Sequence, residues 1–308
     1  MSAPHASALL ERLSVVEVAG GETPEAPAAF HGRLRDRRLR GDELVELVEL
    51  AIAGRTGELA VLDVTPAGLA PEGLLGASAY RGFRRRLDVL ATGDAEELAL
   101  RRLLWDLPLT IMIGMQPRII EHPLVPVRAA MPNPPPGVDQ CAGWVAGGQM
   151  LQLIEATDGR LRMTPSPVLV GGDHLGDPEP TVLPPFSTRR RRRLRVGLED
   201  GVLVISDVHR DSFADPEGVE RVLHNWIVSA TADPDDLVIE SVEVSSGALP
   251  WVECPTAAGS GGRLVGRRFD ELEALITTEF TGITTCTHLN DTLLTMAAVP
   301  ELLAHSLD

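Results

Sequence analysis

Three residues near the C-terminal end carry the chemistry most readily read from this chain: Cys254, Cys286 and His288. Cys254 stands in Trp251-Val252-Glu253-Cys254-Pro255, and Cys286 in Thr284-Thr285-Cys286-Thr287-His288-Leu289. Proline suits the first position of a helix, so Cys254 is expected at an N-cap. Cys286 precedes Leu289, Leu293 and Met296, a helical spacing. Helix N-termini stabilise negative charge, so both thiols are expected to ionise more easily than a free cysteine. Metal binding and nucleophilic attack both need the thiolate. His288 adds a nitrogen ligand or a base, and Asp291, three residues on, is placed to hydrogen-bond its ring. Two cysteines and a histidine suit Zn or Fe. Cys141, His209 and Asp211 are the candidates for a fourth partner. A filled fourth position suits structure or an iron–sulfur cluster, and an open one suits catalysis. Without a metal, Cys286 would be a nucleophile and His288 its base. The plain alternative is that the cysteines are core, where this residue type commonly sits.

The elements that must position these residues follow from periodicity. Leu194 to Val208 reads as two strand-like runs broken at Glu199-Asp200-Gly201, a hairpin. Val222 to Ala230 and Leu237 to Val244 form a second hairpin about Asp233-Pro234-Asp235-Asp236. Phe269, Leu272, Ile276 and Phe280 follow helical spacing, and Pro300 is read as closing the last helix. Strands followed by helices predict α+β packing of antiparallel hairpins under helices. A constant offset of 178 residues repeats this plan in the first part of the chain. It sets His31 on His209, and sets the hairpin Val48 to Val64, turning at Gly54-Arg55-Thr56-Gly57, on Trp226 to Val242. The helical stretch Glu96 to Trp105 follows. A tandem duplication would leave a first copy that has no cysteine. The proline-rich stretches MPNPPPG (131–137) and PEPTVLPP (178–185) punctuate the chain, with one helix predicted between them over 148–156. The division is therefore a degenerate N-terminal copy over 1–116, a linking or capping segment over 117–188, and the Cys/His module over 189–308.

Composition removes other classes. The formal net charge is -16, which disfavours nucleic acid and anionic membrane surfaces as partners. No stretch is apolar for the length of a membrane span, and the first residues lack the pattern of a signal peptide. Three cysteines without framework spacing fit a reduced, cytoplasmic setting. All 28 basic residues other than histidine are arginine, so Schiff-base and P-loop lysine chemistry is absent. The motifs G-x-S-x-G and H-E-x-x-H are also absent. The stretch 259–264 lacks the third glycine of a dinucleotide loop. The run Arg189 to Arg193 is read as a solvated linker, with phosphate binding as the alternative. Trp226 and Trp251 are expected in core, and His5 and His305 are expected to be inert.

The segment LPWVECPTAA, then LVGR, then TTCTHLNDTL, resembles the bacterial family known as domain of unknown function 2889, in its long variant. The resemblance spans residues 189 to 300 and implies no reaction. More distantly, the module is similar to U-type iron–sulfur cluster scaffold proteins. In those, too, a hairpin leads to a cysteine before a helix, and a second cysteine opens the last helix beside a histidine. Here the order is Cys286-Thr287-His288 rather than His-Cys, the scaffold's first cysteine has no counterpart near Asp211, and Asp211 is matched to that scaffold's aspartate. The expectation is a metal-dependent (Zn or Fe) cytoplasmic enzyme, a hydrolase or lyase, acting on a small organic substrate. Cys254, Cys286, His288 and Cys141 would hold the metal. Asp291, Asp211 and His209 would orient groups or relay protons. The rival expectations are a metal or iron–sulfur carrier and a metal-free thiol enzyme, with a homodimer as the candidate assembly.

Overall fold

The computed structural model describes residues 9–19, 28–40, 43–56, 62–66, 72–79, 82–90, 95–114, 125–126, 137–157, 160–161, 167–169, 175 and 182–304. Residues 131–136 and 178–181 of the proline-rich stretches, Gly57 of the first turn, His5 and His305 lie outside them. The fold is α+β. Eight strands form one antiparallel sheet: β1 Leu9–Val18, β2 Ala29–Arg40, β3 Glu43–Arg55, β4 Leu62–Thr65, β5 Thr188–Glu199, β6 Val202–Ala214, β7 Glu220–Ala232 and β8 Ile239–Ser246. Their order across the sheet is β8-β7-β6-β5-β1-β2-β3-β4. The helices are α1 Phe83–Arg86, α2 Ala95–Trp105, α3 Leu107–Ile113, α4 Gln149–Ala156, α5 Leu272–Glu279, α6 Thr287–Thr295 and α7 Val299–Ala304.

The C-terminal hairpins and the helices expected from periodicity are present, whereas Gly54 and Arg55, expected in the first turn, still belong to β3, where Gly54 pairs with Leu62 and Arg55 with Ala29. Asp200 and Gly201 take positive φ at the first C-terminal turn, the conformation that a two-residue hairpin loop demands. Val299–Ala304 departs from expectation, because Pro300 sits inside its first turn rather than ending the helix before it. The ring's fixed φ and missing N–H cost nothing there.

The arginine run is the larger correction. Residues Arg189 to Arg193 are not a linker but lie in the first half of a twelve-residue strand, β5, and Arg189 and Arg190 are 1% exposed. β-alternation sends Arg190, Arg192, Leu194 and Val196 to the helix-covered face and Arg189, Arg191 and Arg193 to the other. On the helix face Arg190 and Arg192 bind Asp106. On the opposite face Arg189 binds Glu17 and Glu220. Arginine is tolerated at the centre of a sheet here because each buried guanidinium on the helix face meets carboxylates.

The sheet is centred between β1 and β5, where Ser14 lies opposite Arg192. That pair is related by the same 178-residue offset that the sequence shows. Shifted by it, β1 to β4 fall on β5 to β8, with β3 at 221–233 against Glu220–Ala232. A core under the C-terminal strands gathers Trp226, Val228, Phe269, Leu289, Leu293 and Met296. A second core under β1 to β3 gathers Phe30, Leu50, Phe83, Leu100 and Leu104. Trp105 packs against both.

Candidate functional site

Across β5, β6 and β7, register makes rows of neighbours. Arg190 lies opposite Asp211, and Asp211 opposite His224. One step along, Arg192 lies opposite His209, and His209 opposite Trp226. Residues directly opposite in an antiparallel ladder share a face and touch. The turn Asp215-Pro216-Glu217-Gly218 fixes the β6–β7 register: Asp215 accepts from the Val219 N–H at 2.8 Å, and Gly218 has φ of 78°. Helix α6 crosses over these rows and lowers His288 onto them.

The result is a buried cluster about one oxygen. Asp211 Oδ2 lies 3.1 Å from His209 Nε2, 3.3 Å from His224 Nδ1 and 3.7 Å from His288 Nε2. The His224 and His288 rings stack, with centroids 3.5 Å apart. Asp211 and His209 are fully buried, and the His224 and His288 side chains nearly so. None of the three facing nitrogens makes an aligned hydrogen bond, nor does His209 Nδ1. Ligand atoms of Asp211, His224 and His288 all lie within 4.8 Å of one another, the one such group among the described residues.

Electrostatics divide this cluster by charge. Burial pushes His209 down to about 4, against the pull of Asp211. Burial, with His224 beside it, holds His288 well below its ordinary value. Both are therefore neutral imidazoles near pH 7, the form that ligates metals. Burial alone would raise Asp211, but Arg190 and His209 overcome it and hold the carboxylate well below its usual range. Arg190 grips Asp211 through Nε at 2.8 Å and also reaches Asp106 and Asp291 at 3.3 and 2.9 Å. Asp291 in turn meets Arg84 in a two-pronged pair of 2.8 and 2.6 Å.

The sequence-derived candidates are distributed unevenly around this cluster. His288, Asp211 and His209 come together. Asp291 does not orient His288. Its place in the second turn of α6 turns it to Arg84, Arg190 and Arg192, where charge attraction exceeds what a neutral imidazole offers. Cys254, Cys286 and Cys141 are free, buried thiols at a neighbouring position and stand outside the group about Asp211. Cys286 is the N-cap of α6 as expected. Cys254 is the first residue of the helical stretch Cys254–Leu264, with Glu253 as its N-cap. The expectation of easily ionised thiols is reversed. Burial outweighs the helix ends, raising Cys254 to about 11 and Cys286 to about 12. Cys141 is raised for the same reason.

Two members were missed from sequence. His224 is a lone histidine in His224-Asn225-Trp226, and only the turn at Asp215–Gly218 would have revealed its position opposite Asp211. Asp207 is the other. It is fully buried on the same face, neither oxygen has a hydrogen-bond partner among the described residues, and burial raises its carboxyl to about 7. As pH rises the unfolded chain gives up this proton first, from 3.8, so the penalty is absent below that value and complete above about 7. Asp207→Asn should therefore stabilise the protein on the order of 4 kcal/mol at pH 8 and hardly at all at pH 4. Urea unfolding at the two pH values reads this directly. An equal effect at both would show that the carboxyl is not held protonated.

The fold and cluster define an α+β protein with a buried His/Asp centre on the helix-covered face of an antiparallel sheet. Residues 188–301 match the family described as protein of unknown function (DUF2889), and the resemblance read from TTCTHLNDTL and its companions holds over that stretch. Asp211, His224 and His288 all lie within it. No curated protein and no solved structure matches the chain, so the likeness to U-type scaffolds rests on the sequence pattern alone. Among the described residues no helix is long and apolar enough to cross a membrane.

Proposed function

We propose that the chain is a metal-dependent enzyme that acts on a small organic anion, with Zn or Fe held by Asp211, His224 and His288 and with His209 as a further nitrogen. The observation that carries this is the convergence on one carboxylate oxygen of three buried imidazole nitrogens that make no aligned hydrogen bond. Buried polar atoms left in this state cost about 1–3 kcal/mol each, and coordination removes that cost. An ion there would serve as a Lewis acid that polarises a substrate oxygen or activates water.

The surrounding charges argue for the substrate class. Arg84, Arg190 and Arg192 face Asp106, Asp211 and Asp291, so the buried network is already neutral. A divalent ion adds uncompensated positive charge, which an anionic substrate offsets. Arg190 keeps Asp211 ionised, and Asp106 and Asp291 keep Arg190 in place. The raised thiols weigh against Cys286 as a metal-free nucleophile, because little thiolate exists near pH 7. Free thiols support a reducing compartment such as the cytoplasm. The common 178-residue offset of strands and helices supports a degenerate N-terminal copy that forms the other wall of the protein.

The enzymatic part is tested with a panel of small carboxylate-bearing esters, amides and hydroxy acids, with and without Zn or Fe(II). Expected is turnover that a chelator abolishes and the metal restores. Turnover that persists unchanged in His288→Ala would overturn the assignment.

A further inference from the structure

A groove of about 810 Å³ opens between the two halves of the chain. That volume is within the range of small-molecule sites, about 300–1,000 Å³. Arg84, Arg85 and Trp105 line it from the first half, and Ile276, Phe280 and Leu294 line it from the second. The Arg84 guanidinium lies 4.8 Å from the Trp105 ring centroid, which steadies that wall. The carboxylates that line the groove are each engaged. Asp88 stands 3.6 Å from Arg101, Glu273 takes Arg101 and Arg102, and Asp139 accepts from the Ala146 N–H at 2.8 Å. Arg85, by contrast, is exposed and has no hydrogen-bond or ion-pair partner among the described residues. Helix α6 separates the groove from the His/Asp centre. Thr287, Asn290, Asp291 and Leu294 line the groove at helical spacing, whereas His288 faces Asp211. One chain of ion pairs links the two places. Arg84 forks onto Asp291 at 2.8 and 2.6 Å, Asp291 meets Arg190 at 2.9 Å, and Arg190 meets Asp211 at 2.8 Å.

We infer that this groove binds an organic monocarboxylate with an apolar body, and that the bound ligand tightens the metal centre through Arg84, Asp291 and Arg190. The apolar body lies against Trp105, Ile276, Phe280 and Leu294. The carboxylate takes Arg85 and competes with Asp291 for Arg84, whose side chain is 26% exposed and whose planar fork suits a carboxylate. Asp88, Asp139, Glu273 and Asp291 repel a multiply charged anion, so one negative charge is what the groove accommodates. With Arg84 shared, Asp291 draws more strongly on Arg190, and Arg190 grips Asp211 less. The Asp211 oxygen is then freer to ligate an ion. Coupling between two sites is reciprocal and typically amounts to about 5–150-fold. The transmission rests on the proposed metal centre, whereas the groove stands on its own lining.

The test is calorimetric titration of the metal-free 308-residue chain with phenylacetate, followed by zinc titration with and without it. Phenylacetate should bind saturably to the metal-free chain, so the groove is judged apart from the metal centre. Arg85→Ala, at an exposed position, should weaken it about 10-fold. Thr277→Trp, on the exposed side of α5, fills the groove and should abolish binding. Inorganic phosphate should not displace phenylacetate. Saturating phenylacetate should raise zinc affinity at least about 5-fold in the parent chain and leave it unchanged in Thr277→Trp. That last comparison separates transmission from direct contact of phenylacetate with zinc. No saturable binding, or binding unaltered by both substitutions, overturns the site. Displacement by phosphate overturns the ligand class. Zinc affinity that ignores phenylacetate, or that responds equally in Thr277→Trp, overturns the transmission.

Discussion

Arg190→Met should lower the stability of the folded chain by at least about 5 kcal/mol, enough to unfold many domains outright. Arg190 is completely buried and serves three carboxylates, Asp106, Asp211 and Asp291. Removing one partner of a buried pair typically costs about 3–5 kcal/mol, because the remaining charge is stranded without water. Here the substitution strands several charges at once, on a strand at the middle of the sheet. Burial acts to lower the affinity of Arg190 for its proton, yet the three aspartates hold it above the ordinary arginine value. The carboxylates in turn are held low, Asp211 and Asp291 both below the usual range. A depressed acid contributes stability above its unfolded value and loses it as pH falls through the folded one. Arg190→Met should therefore also flatten the acid side of the stability profile, below pH about 4. Arg35→Met is the control. Arg35 meets Glu49 at 3.2 Å on the surface, with Glu49 58% exposed, so its loss should cost about 0.5 kcal/mol. Urea midpoints of the two variants compare them. A similar small shift for both would mean that the buried network is not what holds β5 between β1 and β6.

Removing His224 and His288 together should cost most of the metal affinity, because it takes away two of the three proposed ligands. Losing an outer-shell partner alone typically costs 10–100-fold, and a ligand removed outright costs more. His224→Ala/His288→Ala should therefore weaken zinc binding at the His/Asp centre at least ~1000-fold. The double variant should not be unstable in proportion. His288 Nε2 and His224 Nδ1 make no aligned hydrogen bond whose loss would strand a partner, and Asp211 keeps Arg190. Stability unchanged with metal affinity lost is the signature of a binding site. Stability lost with metal affinity unchanged would identify the histidines as core.

Much of this fold was legible in the chain, for identifiable reasons. The hairpins about Asp200-Gly201 and Asp233-Pro234 and the helices over 272–279 and 287–295 follow from turn residues and periodicity. Such local signals act over a few residues and survive packing. The arginine run was misread because charge is an equally local signal, and only partners distant in sequence make its burial tolerable. Asp106 and Asp291 lie 84 and 101 residues from Arg190. The site divided in the same way. Asp211, His209 and His288 were visible as reactive residue types. His224 became part of the site through β6–β7 register, which depends on the turn at Asp215–Gly218. The thiols were read by their helix ends, and burial overrode those ends. A helix terminus contributes about 0.3–1 kcal/mol when exposed, less than the cost of burying a thiolate.

The central claim is that an ion belongs at Asp211, His224 and His288, and elemental analysis of the 308-residue chain purified without chelator or added metal tests it most directly. Run with a visible spectrum taken anaerobically, it should find Zn or Fe at one equivalent or more per chain. His224→Ala/His288→Ala should carry one equivalent less. No metal above trace in the parent chain, or the same metal content in the double variant, would contradict the account.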